Sequence, residues 1–376
     1  MKYTNIRIVS LSLTAVLTLS GCSGIKTPGV VGTDVIVSSK APTEISNLED
    51  ISITSLSSED TSAPSYKEVS LEFEPHVFPS ILYDVYGDEY RDSFFNLCDA
   101  LQEGKDTFEC ASEEAYNWCM EGVTLNQLYP VACLQITKNG GNGSPSYENG
   151  TGHIYYTNSA DDFLQRQESF IEQIEEIKQN NIKPDYSDFE ICLALYDYIA
   201  SNYTYDHDGT LDRSKDGSCG ACLKYKKGVC ADFGAWYAYL LMQCGVTAVE
   251  VQNFGTGQGL GYHAWTYVEL DGKGYHIDAT WALKSERTDD FLTLDYFLMT
   301  DEDRAKADYP PELTEVPLII GTYYYAKDCP EHDFTADDPT YRFPDFTNCK
   351  RYDTEKNVIV YYNLTVDNEE HEFTYE

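Results

Sequence analysis

Apolar residues recur at helical spacing in one stretch near the middle of the chain, directly after Cys230. They are three or four positions apart and fall at Phe233, Trp236, Tyr237, Leu240, Leu241 and Cys244. This spacing predicts a helix with one buried face, which starts at or just before Cys230 and stops at Gly245. The cysteine then lies at the first turn, where unpaired backbone N–H groups and the helix dipole favour an anion such as a thiolate.

Two strand-like segments follow this helix and are joined by a short turn. Residues 263–270 and 274–278 are predicted as strands, and Asp271-Gly272 between them is a turn signal. A two-residue turn would pair Leu270 with Lys273. A four-residue loop over 271–274 would keep the same side chains on each face, so the sequence predicts an antiparallel hairpin with either of these two turns.

The predicted register brings two chemically useful side chains together. Counting back along the hairpin places Trp265 opposite Asp278, and His263 shares the face of Trp265 because side chains alternate along a strand. His263 and Asp278 are thus predicted to be diagonal neighbours on one face; a three-residue loop would break that parity. A cysteine, a histidine and a carboxylate can serve as a nucleophile, its base and the group that orients the base.

Other periodic segments predict a chain of mixed helices and strands. Helices are expected at 88–103, 112–121, 161–180 and 187–202, the last opened by a capping box from Ser187 to Glu190. Strands are expected at 131–138, 152–157, 246–251, 316–325, 357–366 and 370–376. A loop with glycine at 255, 257, 259 and 261 precedes His263 and is either a lid over the site or a plain connection.

The N-terminus carries an export pattern. Residues 1–21 hold two early basic residues and an apolar run at 8–19 that is too short to span a bilayer as a helix. The segment 19–22, Leu-Ser-Gly-Cys, resembles a bacterial lipobox, which implies that Cys22 is acylated and becomes the new N-terminus. An ordinary secretory signal cleaved nearby is the alternative. We expect an extracytoplasmic protein held at the bacterial cell membrane by its lipid.

Composition supports a tether followed by a large acidic globular part. Residues 23–66 contain 10 Ser and 5 Thr, and such a segment buries too little apolar surface to order itself. The formal net charge of the chain is −37, which argues against nucleic acid as a partner because no basic patch could neutralise phosphate. The expected divisions are 1–21 signal peptide, 22–67 tether, 68–180 N-terminal accessory region, 181–305 catalytic core and 306–376 C-terminal β extension.

Three motifs in order resemble the core of the transglutaminase-like superfamily. They are Gly-Val-Cys-Ala-Asp-Phe at 228–233, Tyr-His-Ala-Trp at 262–265 and Asp-Gly-Lys-Gly-Tyr-His-Ile-Asp-Ala-Thr-Trp at 271–281. The resemblance spans about 187–303. It implies an α+β fold with a papain/transglutaminase-like core, in which the catalytic helix packs on an antiparallel sheet. An N-terminal helical accessory region and C-terminal strands would flank this core.

The resemblance also implies roles for individual residues. Cys230 would be the nucleophile, His263 the general base and acid, and Asp278 the orienting carboxylate. Tyr262, Trp265 and Trp281 flank the predicted site and are candidates for substrate binding; packing of the hairpin is the favoured alternative for the two tryptophans. Many bacterial relatives carry Tyr where this chain has Cys219, before Gly220-Ala221, so the second oxyanion donor is unassigned. The N–H of Cys230 is the first candidate donor.

The expected activity is thiol-dependent acyl transfer on peptide or protein amide bonds through a thioester. Hydrolysis, as in a peptidase or amidase, is preferred because no dedicated amine pocket can be argued. The alternatives are a cross-linking transglutaminase and a non-catalytic binding or assembly module on the same fold. No cofactor or metal is expected.

The remaining cysteines have a structural explanation. Cys219 and Cys222 form a C-x-x-C pair without a second pair at zinc-site spacing, so a disulfide or two buried thiols are preferred over zinc. Cys119, Cys192 and Cys244 lie on apolar helical faces and are predicted to be buried thiols.

Overall fold

The structure is a computed structural model and describes residues 68–141, 143–253, 262–287, 291–306, 314–319, 326–343, 346–363, 366–367 and 369–375. The predicted signal peptide, Cys22 and the tether lie outside the described residues. So does the glycine-containing loop at 254–261. The predictions made for these segments therefore stay predictions.

Helices and strands alternate irregularly along the described chain. The α helices are α1 Ser80–Gln102, α2 Glu113–Cys119, α3 Gly122–Leu128, α4 Ala160–Asn181, α5 Asp188–Asn202, α6 Gly217–Tyr225, α7 Cys230–Gln243 and α8 Asp301–Lys306. The strands are β1 Thr107–Glu109, β2 Ile136–Thr137, β3 Tyr147–Glu148, β4 Thr151–His153, β5 Tyr155–Tyr156, β6 Thr204–Tyr205, β7 Lys227–Gly228, β8 Thr247–Asn253, β9 His263–Leu270, β10 Lys273–Ile277, β11 Leu292–Thr293, β12 Thr314–Glu315, β13 Thr347–Asp353, β14 Val358–Asn363 and β15 Glu370–Thr374.

The centre of the fold is an antiparallel sheet with α7 packed on one face. Its strand order is β10-β9-β8-β12. The helix approaches the sheet closely at Gly234, where a Cβ would lie 2.9 Å from the carbonyl oxygen of Trp265. Thr266 Oγ1 also donates a 2.9 Å hydrogen bond to the Gly234 carbonyl. The predicted α+β fold, in which the helix that begins at Cys230 packs on an antiparallel sheet, is confirmed.

Local signals placed most helices correctly. The Ser187–Glu190 capping box is present at the start of α5, and Ser112 caps α2 through the N–H of Ala115. Helix α4 matches the segment predicted at 161–180. The helix predicted at 88–103 is confirmed after Gly87, whose φ of 67° breaks α1. The turn before that break was not predicted.

Two strand predictions were wrong. In the segment 131–138, Pro130–Ala132 form a 3-10 turn and only β2 is extended, because the proline lacks the N–H that a strand ladder needs. In the described part of 316–325, residues 316–319 form a turn directly after β12, and the rest lies outside the described residues. The segment 152–157 is extended but split between β4 and β5, which join different sheets.

A second antiparallel sheet lies in the C-terminal part, with strand order β11-β13-β14-β15. Strands β14 and β15 match the segments predicted at 357–366 and 370–376. In contrast, β12 pairs with β8 and extends the central sheet. The division of the chain into regions stays a prediction. Among the described residues, no helix combines the length and apolar character needed to cross a bilayer.

Candidate active site

Cys230 is the first residue of α7 and is buried. Val229 has extended backbone angles, φ −110° and ψ −179°, so the chain turns into the helix directly at the cysteine. The N–H of Val229 donates a 2.7 Å hydrogen bond to Oδ2 of Asp232. The helix therefore starts at the cysteine, as the apolar spacing predicted.

The hairpin has the predicted register. Lys273 pairs with Leu270 and Ile277 pairs with Thr266, so the connecting turn is the two residues Asp271–Gly272. Asp271 has φ 52° and Gly272 has φ 70°, the left-handed pair that a two-residue hairpin turn requires. His263 begins β9 and Asp278 follows β10 directly, so the turn sets their relative position.

His263 and Asp278 are in direct contact. Nε2 of the imidazole lies 2.6 Å from Oδ2 of Asp278. The second carboxylate oxygen accepts the N–H of Thr280 at 3.0 Å, and the N–H of Asp278 donates to the carbonyl of Tyr296 at 2.9 Å. The carboxylate is fully buried and held from several sides, which fixes the plane of the imidazole.

The histidine is held in its protonated form. Burial opposes the charge, but the charge and hydrogen bond of Asp278, together with a hydrogen bond to Cys230, raise the pKa of His263 to about 10. Because Nε2 is bound to the carboxylate, Nδ1 is the nitrogen left for the sulfur. The three side chains therefore form a chain of contacts from thiol to imidazole to carboxylate, suited to a thiolate–imidazolium pair.

Trp265 packs inside the fold beside the site, and its candidate role in substrate binding stays a prediction. The indole is 1% exposed. The Trp265 ring stacks on the His263 ring, with centroids 6.0 Å apart and an angle of 18° between the planes. The guanidinium of Arg304 lies over the face of the Trp265 ring, 4.2 Å from the ring centroid. Its Nε1 donates a 3.0 Å hydrogen bond to Nδ1 of His276.

His276 is a buried partner that the sequence did not single out. Its Nε2 lies 3.1 Å from Oδ1 of Asp301. Burial and the positive charge of Arg304 lower the pKa of His276 to about 4, so the ring is neutral and Nδ1 can accept from Trp265. His276 thus supports the residue on which the His263 ring stacks.

Trp281 and Tyr262 lie at the site with more room around them. Trp281 is 36% exposed, and its ring centroid is 6.1 Å from that of His263 and 6.0 Å from that of Tyr296. The Tyr262 hydroxyl donates to Oε1 of Gln252 on β8. Burial, with the nearby carboxyl of Glu250, raises the pKa of Tyr262, so its hydroxyl stays protonated. Both residues remain candidates for substrate binding.

The predicted buried thiols are confirmed. The cysteines of the described residues are all free and buried, including Cys119, Cys192, Cys219, Cys222 and Cys244. The C-x-x-C pair is therefore two buried thiols. Within the described part of the chain, no group of three or more His, Cys, Asp or Glu side chains is arranged to hold a metal ion.

The fold and this site define a papain-like α+β core with a thiol at the tip of its central helix. Residues 175–279 match the family model of the transglutaminase-like superfamily. The chain therefore carries a transglutaminase-like domain over those residues, and Cys230, His263 and Asp278 all lie inside it.

Two solved structures are similar over part of the chain. One is a candidate cysteine protease from Cytophaga hutchinsonii, with 18% identity, a TM-score of 0.25, and coverage of 31% of this chain and 39% of that chain. The other is described as a TGase, with 15% identity, a TM-score of 0.22, and coverage of 37% and 42%. The similarity thus spans less than half of either solved chain. No curated protein matches the sequence.

Proposed function

We propose that the protein is a thiol enzyme that acts on peptide or protein amide bonds through a thioester on Cys230. The observation that carries this function is the contact chain from Cys230 to His263 to Asp278, with the His263–Asp278 distance at 2.6 Å. The raised pKa of His263, about 10, supplies a proton donor at neutral pH. A thiolate beside that imidazolium is the reactive form of the nucleophile.

The reaction proceeds in two halves. Sγ of Cys230 attacks the amide carbonyl, a C–S bond forms, and the oxyanion meets the N–H of Cys230 at the helix start. His263 gives its proton to the leaving nitrogen as the C–N bond breaks. Water then loses a proton to the neutral imidazole and attacks the thioester, which releases a carboxylic acid. The imidazole proton and the thiolate are then restored as the original pair.

Hydrolysis is the preferred outcome because the sequence does not indicate a dedicated amine pocket. If a primary amine replaces water in the second half, the product is a new amide and the enzyme is a cross-linking transglutaminase. If neither product forms and the thiol is inert, the domain is a binding or assembly module. The chemistry of the first half is shared by both enzymatic outcomes, so product analysis distinguishes them.

The site of action is proposed to be outside the cytoplasmic membrane. The lipobox-like segment at 19–22 and the Ser/Thr-rich segment at 23–66 support a lipid anchor on Cys22 followed by a flexible spacer. The partners would then be a membrane and a peptide or protein substrate, with no cofactor. Metabolic labelling with an alkyne fatty acid tests the anchor: wild type should incorporate label, and Cys22→Ser should not.

The activity is tested with a defined peptide library and mass spectrometry. Wild type and Cys230→Ala are incubated with the library in parallel, and the products are compared. Cleaved peptides would establish hydrolysis, deamidated glutamine an amidase, and isopeptides cross-linking, in each case only with wild type. Absence of all three products, together with an unreactive thiol, would leave the binding module.

A further inference from the structure

Asp232 carries a buried carboxylate at the same helix end as the proposed nucleophile. Its side chain is 1% exposed and accepts hydrogen bonds from several donors at once. Arg213 reaches it with both Nε, at 2.9 Å, and Nη2; the hydroxyl of Ser218 and the N–H of Val229, at 2.7 Å, complete the set. Arg213 lies on the loop before α6, nineteen positions away in sequence.

The position of this carboxylate conflicts with the chemistry of Cys230. Asp232 is two residues after the cysteine, in the first turn of α7. A negative charge there stabilises the helix start, but it also opposes a second negative charge on the neighbouring sulfur. An arginine bound to the carboxylate with two parallel hydrogen bonds cancels that repulsion while leaving the cap in place.

Several other titratable groups around the sulfur are uncharged, so the Arg213–Asp232 pair is the charged pair that a substitution can unbalance. On β8, burial raises the pKa of Glu250 well above its ordinary value, with the nearby Cys230 and Asp232 adding to it, and Gln127 donates to it at 2.6 Å. That carboxyl is therefore neutral. Burial also raises the pKa of Cys222 on α6 and of Tyr262 before β9, so both stay uncharged.

The charged groups nearby are already paired. His263 is bound to Asp278, as described above. Asp206 on the loop after β6 faces Arg213 but has its own cation: Lys227 lies 2.7 Å away. Burial raises the pKa of Asp206, but this lysine and the N–H groups of Leu211 and Thr210 outweigh that effect and lower the pKa to about 2. Arg213 is thus the cation bound directly to Asp232 among the contacts described for it.

We infer that Arg213 is a positioning residue for the thiol chemistry: its guanidinium neutralises Asp232, so that the start of α7 accepts a thiolate on Cys230. This inference rests on the proposed function, since it requires Cys230 to react as a thiolate. A purely structural pair would stabilise the helix start without affecting how the sulfur ionises. The two roles predict different responses to charge.

The test is the pH dependence of iodoacetamide alkylation at Cys230, followed by mass spectrometry of the peptide that contains it. Full-length wild type, Arg213→Gln, Asp232→Asn and the double variant are compared. Arg213→Gln leaves a bare carboxylate, so its alkylation midpoint should rise by about one pH unit and its rate near pH 6 should fall about tenfold. Asp232→Asn keeps an oxygen for the Val229 N–H but removes the charge, so its midpoint should fall.

Combination and conservative variants complete the test. The double variant has neither charge, so its midpoint should return to within about 0.3 units of wild type. Arg213→Lys keeps the positive charge without the two parallel hydrogen bonds; it should lose thermal stability while its midpoint stays close to wild type. Arg91→Gln, which breaks an arginine–aspartate pair on α1, is the matched control and should change nothing.

The outcomes separate this inference from the function on which it rests. Opposite shifts for the two single variants, cancelled in the double, support the inference. Shifts of Arg213→Gln and Asp232→Asn in the same direction, or wild-type midpoints in both of these single variants when they fold, overturn it and leave a structural cap. If Arg213→Gln does not fold, Asp232→Asn still decides: a lowered midpoint supports the inference, and an unchanged or raised midpoint overturns it. A wild-type midpoint at or above the ordinary thiol value of about 8.5 would instead refute the proposed function.

Discussion

Nε2 of His263 lies 2.6 Å from Oδ2 of Asp278, although the two residues are fifteen positions apart. The contact follows from a two-residue turn, Asp271–Gly272, whose left-handed angles set the register of the hairpin. The imidazole is then left with one nitrogen for the sulfur of Cys230. One local turn thus determines the geometry of the proposed chemistry.

Asp278→Asn should preserve the fold and remove most of the activity. An amide is nearly isosteric but carries no charge, so it should no longer stabilise the imidazolium or fix its tautomer. By comparison with other triads, kcat should fall about 10²- to 10⁴-fold. Steady-state kinetics over a range of pH measure this. Asp271→Asn is the control, since this exposed turn residue has φ 52°, which asparagine tolerates, and full activity is expected. Equal kcat for both variants would contradict the orienting role of Asp278.

Gly234→Ala should push helix α7 away from the sheet. The new Cβ would lie 2.9 Å from the Trp265 carbonyl oxygen and 3.2 Å from its C and N, and a strand backbone cannot rotate away. We expect a loss of about 1–3 kcal/mol in the free energy of unfolding and slower turnover, because Cys230 moves with the helix. Denaturant unfolding and kinetics measure the two effects. Gly122→Ala, where a Cβ meets nothing within 4 Å, should be close to neutral. Equal stability of the two variants would be evidence against the close packing.

His276 should make stability fall in mild acid. Its pKa of about 4 in the folded protein lies below the ordinary value of 6.5, so between these values the unfolded chain binds one more proton. Stability from this group is therefore complete above about pH 6.5 and decreases as pH falls toward 4, by about 3 kcal/mol in total.

The variant His276→Gln isolates this contribution. It should be less stable than wild type at neutral pH because the contacts with Trp265 and Asp301 are weakened, but it should lose less stability between about pH 6.5 and pH 4. Urea unfolding at a series of pH values measures both. His371→Gln, on β15, should keep the wild-type slope. An unchanged slope in His276→Gln would show that the acid sensitivity arises elsewhere.

Trp281→Ala separates substrate contact from support of the imidazole. The indole is 36% exposed beside His263. If the substrate packs on this ring, its removal should raise KM about tenfold, while a small reagent should still alkylate Cys230 at the wild-type rate. Tyr83→Ala removes an equally exposed ring on α1 and should have no effect. Slower alkylation without a change in KM would assign Trp281 to holding the imidazole.

The sequence predicted the parts of the site that local chemistry determines. The helix begins at Cys230 because apolar residues recur at helical spacing after it, and α5 begins at Ser187 because its capping box is complete in four residues. The shared face of His263 and Asp278 followed from the turn signal at Asp271–Gly272, and the structure has the two-residue turn. Each of these signals lies within one turn or one strand, so no knowledge of distant contacts was needed.

Interactions between distant segments were missed. Nothing in the spacing indicates that Arg213 binds Asp232, or that the ring of Trp265 is covered by His276 and Arg304. A carboxylate at the third position of a helix is a capping signal that could have marked Asp232. The strand predicted at 131–138 failed at its start because Pro130–Ala132 form a buried 3-10 turn.

Trapping the acyl-enzyme tests the central claim most directly. Wild type is mixed with the peptide library, quenched in acid and analysed by intact-mass and peptide mass spectrometry. We expect a substrate-derived acyl group on the peptide that contains Cys230, removable by hydroxylamine as a thioester is, and none in Cys230→Ala. Turnover that persists in Cys230→Ala, or an acyl group attached to another residue, would contradict the account.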